Sequence, residues 1–210
     1  SVKESVFPFA KFPGVDVIPG GTSQSYSITN GEAEMAVSVT YYLQVRGDQD
    51  DLEKHPFYVR GQTLVLGASK EHKHHDFSSL QYKLSLPELR EVSVSGSGDV
   101  YVKPLRAESL VVNVSGSGDI KLFSVTADEV DLQVGGSGDI QVAELVSPLL
   151  EMQVAGSGDI AIGELDGDVV EVSVSGSGDI SLKNSRSKGS SLEANVIGGG
   201  EINLARFDVD

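Results

Sequence analysis

The sequence predicts an all-β fold: a single-stranded, right-handed parallel β-helix, or three-sided β-solenoid, preceded by an irregular β N-terminal cap. Three observations carry the prediction: a fixed repeat, apolar residues that keep their place in it, and a repeat length that suits one turn of a coiled ribbon. Val94-Ser95-Gly96-Ser97-Gly98-Asp99-Val100 returns almost unchanged from Val114, Val134, Val154 and Val174, at a step of twenty residues. A degraded sixth copy, Val196-Ile197-Gly198-Gly199-Gly200-Glu201-Ile202, follows after twenty-two. Self-similarity at such a period marks stacked units, each burying its apolar side against its neighbours.

The apolar columns define the unit. One reads Val92, Val112, Leu132, Met152, Val172, and the next Val94, Val114, Val134, Val154, Val174. Past the glycines come Val100, Ile120, Ile140, Ile160, Ile180, then Val102, Leu122, Val142, Ile162, Leu182, then Leu105, Val125, Leu145, Leu165. Within a repeat these positions alternate with polar ones, the period of a half-buried strand. Breakers such as Pro104 and Gly163 mark corners between the runs. Twenty extended residues would run about 66 Å at roughly 3.3 Å each, which suits one three-sided coil. Successive coils would pair in parallel about 4.8 Å apart. Parallel crossovers favour the right hand.

Residues 1–89 lack the twenty-residue beat but still read as strands. Phe7, Phe9 and Phe12 lead into Val15-Asp16-Val17-Ile18 and a turn at Pro19-Gly20-Gly21. Tyr26-Ser27-Ile28 is a short strand, and Asn30-Gly31 is a hairpin turn signal. Ala36 to Val45 reads as one strand and Arg46 to Asp51 as a polar loop. Phe57-Tyr58-Val59 and Thr63-Leu64-Val65-Leu66, joined by Arg60-Gly61-Gln62, form a second hairpin. A charged loop from Ser69 to Asp76 precedes the alternating Tyr82, Leu84 and Leu86. An uncovered solenoid end presents unpaired backbone and apolar cross-section. Residues 1–89 are therefore the expected cover for a regular solenoid over 90–210, in one continuous structural domain. At the other end, Ser185 to Ser190 holds a two-residue insertion, and Ala205 to Asp210 closes the chain with charges around Phe207.

The net charge of −15 argues against nucleic acid as a partner, because phosphate binding needs Lys and Arg. The absence of cysteine excludes disulfides, cysteine nucleophiles and thiolate metal sites. No apolar run reaches the length of a membrane span. The opening Ser1-Val2-Lys3-Glu4 is compatible with a signal peptide already removed.

Three groups of residues could carry chemistry. The first is the acidic column Asp99, Asp119, Asp139, Asp159, Asp179, ending in Glu201. Carboxylates between glycines suggest calcium, and Gly-x-Gly-x-Asp is similar to the nonapeptide calcium roll, but that roll repeats every nine residues. The bland alternative is a turn motif in which each Asp folds back onto nearby backbone N–H groups. Its glycines, Gly96, Gly98, Gly116, Gly118, Gly136, Gly138, Gly156, Gly158, Gly176 and Gly178, would supply positive φ. Two unit charges about 4.8 Å apart in water repel by on the order of 1 kcal/mol, so no cation is required. The second group is His72, His74, His75 and Asp76, which could ligate Zn²⁺ or Ni²⁺, or could be a solvated loop. The third is a carboxylate pair for glycoside chemistry, which needs two unequal acids in a cleft. Acids at equivalent corners do not supply that inequality. Ser95, Ser115 and Ser175 recur with no histidine in the repeats to activate them. No catalytic residue and no cofactor is assigned. What remains is an outward polar face, with Glu91, Val111, Asp131, Glu151 and Glu171 beside Ser93, Asn113, Gln133, Gln153 and Ser173.

The Gly-Ser-Gly-Asp-Ile motifs, with Leu86-Pro87-Glu88-Leu89 before them and Gly200-Glu201-Ile202-Asn203 at the end, resemble a bacterial family. It is the auto-transporter adhesin head domain called GIN, a domain of unknown function, and the resemblance covers roughly residues 10–204. It implies a right-handed β-helix exported to the periplasm, outer membrane or cell surface, and it brings no catalytic residues. The expected function is a non-enzymatic adhesin-like or envelope-interaction module with a protein or glycan ligand. The alternatives are a polysaccharide-binding or polysaccharide-processing β-helix and a divalent-cation-binding scaffold.

Overall fold

The computed structural model describes residues 2–8, 24–29, 34–39, 42–54, 56–67, 80–86, 88–187, 191–204 and 207–209. The chain divides into two compact units, Ser1–Pro87 and Glu88–Asp210.

The first unit is antiparallel. Its strands are β1 (Val2–Pro8), β2 (Gln24–Thr29), β3 (Glu34–Val39), β4 (Tyr42–Asp48), β5 (Phe57–Arg60), β6 (Thr63–Leu66) and β7 (Gln81–Ser85). They make a three-stranded sheet β1-β4-β7 and two hairpins, β2-β3 and β5-β6. The β2-β3 pairing, ending at Thr29↔Glu34, and the β5-β6 pairing, ending at Arg60↔Thr63, agree with both expected hairpins. Gly61 takes the positive φ (63°) that the tight second turn demands.

Two readings of this half need correction. Ala36 to Val45 is not one strand: β3 pairs with β2, whereas β4 pairs with β1 and β7, so the chain changes partners between them. The supposed polar loop from Arg46 to Asp51 continues β4 to Asp48 and then forms a short helix, α1 (Gln49–Glu53). Asp50 and Asp51 lie in its first turn, where acidic side chains complement the helix dipole.

In β7 the Tyr82 hydroxyl donates to the Pro56 carbonyl at 2.8 Å. Burial pushes this phenol up from its ordinary value to about 12, and the nearby Asp51 charge adds to the shift. The fold therefore favours the neutral phenol. Its contribution to stability is whole below the ordinary tyrosine range near pH ~10 and is lost as pH rises towards about 12. A phenolate absorbance titration of the parent against Tyr82→Phe should place the ionisation that the variant lacks at about pH 12.

The second unit is the solenoid. Its strands are β8 (Glu91–Val94), β9 (Val100–Val102), β10 (Leu105–Val114), β11 (Ile120–Val134), β12 (Ile140–Val146), β13 (Leu149–Val154), β14 (Ile160–Asp166), β15 (Val169–Val174), β16 (Ile180–Ser187), β17 (Ser191–Val196), β18 (Ile202–Leu204) and β19 (Phe207–Val209). All pair in parallel with the coil before or after. The register is the one the repeat dictates: Val94↔Val114↔Val134↔Val154↔Val174 at twenty residues, then Val174↔Val196 at twenty-two. The chain is thus an all-β parallel solenoid of about six turns, with small antiparallel sheets N-terminal to it.

The core is a set of vertical files. Every apolar column read from the sequence is interior, and Ile120, Ile140, Ile160 and Ile180 are fully shielded from solvent. The structure adds two files. Leu110, Val130, Leu150 and Val170 form one. Ala107, Ala127, Ser147 and Gly167 form the other, at a corner where the chain has little room. There the buried Ser147 hydroxyl donates to the Leu149 carbonyl at 2.7 Å. A Cβ on Gly167 would come within 2.7 Å of the Ser147 carbonyl oxygen. The leucine file of Leu105, Val125, Leu145 and Leu165 ends at Ser185, which is buried with its hydroxyl unpartnered. Ser185→Ala should raise the unfolding free energy by about 1 kcal/mol, because it removes a desolvated hydroxyl that no bond offsets. Urea denaturation measures it.

Candidate functional site

The turn between Val94 and Val100, with its five successors, is where the sequence concentrates its recurring polar groups. Its geometry follows from one constraint, the close approach of successive coils. The Val94 carbonyl accepts from Ser115 N–H (2.9 Å) and Gly116 N–H (3.2 Å). The Gly96 carbonyl accepts from Ser117 N–H (2.9 Å) and Gly118 N–H (3.2 Å). These bifurcated bonds press each turn onto the one below. A Cβ on Gly116 would overlap the Gly96 carbonyl oxygen, and one on Gly118 the Gly98 carbonyl oxygen. The same overlaps recur at Gly136, Gly138, Gly156, Gly158, Gly176 and Gly178.

The expectation that these glycines supply positive φ is therefore wrong. Among the described glycines positive φ occurs at Gly61, Gly67 and Gly198, and at none of the repeat positions from Gly96 to Gly178. From Gly116 to Gly178 glycine is required because the backbone of the preceding coil occupies the space of a side chain, a constraint between coils and not within one; Gly96 and Gly98, in the first turn, meet no such obstacle.

The aspartates are also displaced from the expected role. Each reaches into the next coil instead of folding back onto its own turn. Asp99 Oδ1 accepts from Asp119 N–H at 3.0 Å, and Asp119 Oδ1 from Asp139 N–H at 3.0 Å. Asp139 Oδ1 accepts from Asp159 N–H at 2.9 Å, Asp159 Oδ1 from Asp179 N–H at 2.7 Å, and Asp179 Oδ1 from Glu201 N–H at 2.8 Å. The backbone ladder resumes one step later, where Val100 N–H donates to the Asp119 carbonyl at 2.8 Å. The glycine carbonyl below is aimed at the Cα of the next glycine, so the carboxylate supplies the acceptor for the following N–H. The motif Gly-x-Gly-Asp is one device: two glycines admit the close approach, and the acid restores the hydrogen bond that it costs.

Asp139, Asp159, Asp179 and Glu201 line a groove of about 250 Å³ together with the adjacent file of Gln141, Ala161, Ser181 and Asn203. Among the described residues no three His, Asp or Glu side chains are placed to hold a metal ion. His72, His74, His75 and Asp76 lie outside the described residues.

An acceptor role predicts a sharp contrast between two substitutions. Asp139→Asn keeps an oxygen at the Oδ1 position and should leave stability within about 0.5 kcal/mol of the parent. Asp139→Ala orphans the Asp159 N–H and should cost about 1–2 kcal/mol. Denaturant midpoints of the two variants, with and without chelator, check it; a bound cation would make both variants equally costly and chelator-sensitive.

The outward face of β8, β10, β11, β13, β15 and β17 is polar except at Val111. Glu91, Val111, Asp131, Glu151, Glu171 and Glu193 form one file, and Ser93, Asn113, Gln133, Gln153, Ser173 and Asn195 the next. Gln133 Nε2 donates to Asp131 Oδ2 at 2.7 Å, cross-linking the two files.

A stack of parallel coils, closed inside and polar outside, whose recurrent acids serve the backbone, defines a parallel β-solenoid. The chain belongs to the family described as "Putative auto-transporter adhesin, head GIN domain", whose profile matches residues 29–205. No curated protein matches it. It is similar in fold to the crystal structure of a "putative adhesin" from Bacteroides fragilis NCTC 9343 (20% identity, TM-score 0.65, covering 97% of each chain). It is also similar to that of a "Putative lipid binding protein" from Parabacteroides distasonis ATCC 8503 (19% identity, TM-score 0.56, covering 97% of this chain and 96% of that one).

Proposed function

We propose that this protein is a non-enzymatic, exported adhesion or envelope-interaction module. Its binding surface is the polar sheet face of β10, β11, β13, β15 and β17, and its ligand is a protein or glycan of the cell surface. The observation that supports this most directly is the paired amide and carboxylate files on that face. They repeat along the solenoid at the coil spacing of about 4.8 Å, which suits an extended, repetitive ligand bound by many weak hydrogen bonds. Membership of an adhesin head family is consistent with export and with display as the task. The recurring acids of the turns are occupied by backbone N–H groups, so they offer no unequal pair of the kind glycoside chemistry needs.

The test is a glycan array together with pull-down from envelope and host-surface extracts, repeated with a Gln133→Arg/Gln153→Arg variant. A binder captured by the parent and lost by the variant supports the reading. A parent that captures nothing, or a binder indifferent to the variant, overturns the assignment of this face.

A further inference from the structure

The stack of turns has a direction, and its two ends are unlike. Ser115, Gly116, Ser117, Gly118 and Asp119 all donate their backbone N–H groups to the preceding coil, and the turns at 135–139 and 155–159 repeat the pattern. The first turn offers the same donors, Ser95 to Asp99, and among the described residues no acceptor receives them. Consecutive N–H groups aimed one way make an electropositive end. Gly98 is exposed there, whereas Gly118, Gly138, Gly158 and Gly178 are buried. Gly96 and Gly98 have neither a positive φ nor any atom within 4 Å of a Cβ, so nothing inside the chain accounts for their being glycine.

The last turn is the converse. Gly199 N–H donates to the Gly176 carbonyl (3.0 Å) and Glu201 N–H to Asp179 Oδ1 (2.8 Å), so it continues the stack. Among the described residues nothing donates to the Val196 and Gly198 carbonyls or to the Glu201 carboxylate. Val196 is 45% and Ile197 67% exposed, and Ile202 and Leu204 are only partly buried.

We propose that the first turn and β9 receive the last turn and β18 of a second copy of the chain, so that solenoids join head to tail. The junctions between coils inside the chain are the template. In their register Ser95 and Gly96 N–H donate to the Val196 carbonyl, Ser97 and Gly98 N–H to the Gly198 carbonyl, and Asp99 N–H to the Glu201 carboxylate. Gly96 and Gly98 then lie against the Gly198 and Gly200 carbonyl oxygens, the obstacle that already imposes glycine from Gly116 to Gly178. Val100 and Val102 carry on the files that end at Ile202 and Leu204. By register Asp208 follows Arg106 and Arg186 in one file, so the junction also sets opposite charges together. The exposed edge of a parallel stack pairs by adding a strand. A donor end fits an acceptor end and not another of its own kind, so the contact is heterologous and the assembly open.

Sedimentation equilibrium of the whole chain tests the proposal, at physiological salt, where the charge of each copy is screened beyond about 8 Å. The average mass should rise with concentration without levelling off at a dimer. Gly98→Ala, whose methyl meets nothing inside the chain, should keep the parent's circular dichroism and melting temperature yet weaken association at least tenfold. Glu201→Lys, which replaces the acceptor for Asp99 N–H with a cation, should do the same from the other end. Mixing the two variants is the decisive measurement. Gly98→Ala retains an intact last turn and Glu201→Lys an intact first turn, so the mixture should form a one-to-one dimer that neither forms alone and that grows no further. A parent monomeric at every concentration overturns the proposal and returns the first turn to the cover expected from residues 1–89. Assembly indifferent to both variants, or a mixture no more associated than its components, overturns it as well.

Discussion

Gly138→Ala is expected to destabilise the solenoid by roughly 4 kcal/mol or more, while Gly98→Ala is nearly neutral. The two glycines occupy the same place in the motif, forty residues apart. They differ in what lies beneath. A Cβ at Gly138 would overlap the carbonyl oxygen of Gly118, which belongs to backbone and cannot rotate away. Relief requires the turns to separate, and that breaks the bonds from Ser137 N–H (2.9 Å) and Gly138 N–H (3.2 Å) to the Gly116 carbonyl. It also strains the bond from Asp139 N–H to Asp119 Oδ1. A Cβ at Gly98 meets nothing within 4 Å. Urea denaturation of the two variants, read as midpoints, separates this account from any based on backbone freedom. If the motif needed glycine for conformation alone, both substitutions would cost the same.

That contrast also shows what could be read without coordinates. The interior files from Val92, Val94, Val100, Val102 and Leu105 were legible because burial in a parallel stack acts on equivalent residues, so one chemical type returns at one interval. The file of Ala107, Ala127, Ser147 and Gly167 was not, because its constraint is small size, which Ala, Ser and Gly satisfy without resembling one another. The roles of Gly118 and Asp119 were half legible. Their recurrence announces a structural duty, but whether a side chain bonds within its own turn or into the next depends on how closely two turns lie. Nothing in a single twenty-residue unit reports that distance. The helix α1 was hidden for another reason: five residues with Asp50 and Asp51 in the first turn carry no apolar period to detect. The polar face was visible as composition, but a flat array of amides and acids does not name its ligand, since such a surface is also what solvent alone would select.

Ile140→Ala should cost about 3–4 kcal/mol, more than its single-site burial in an ordinary sheet would suggest. Ile140 is fully buried between Ile120 and Ile160, with Val142 and Val154 among the core around it. Removing three carbons opens a cavity that neither neighbour can fill, because each isoleucine is fixed by its own strand pairing to the coils on both sides. Each coil is stabilised mainly through its two interfaces, so a defect in a middle coil weakens both at once. Ile202→Ala makes the comparison: it carries the same file into the last coil, where the side chain is only partly buried and one interface is at stake, and it should cost about 1 kcal/mol. Equal effects at the two positions would mean that the solenoid unfolds as a single rigid block with no nearest-neighbour character. The expected result, a large loss at Ile140 and a small one at Ile202, follows from treating the molecule as a one-dimensional stack whose cohesion is strongest where a coil has neighbours on both sides.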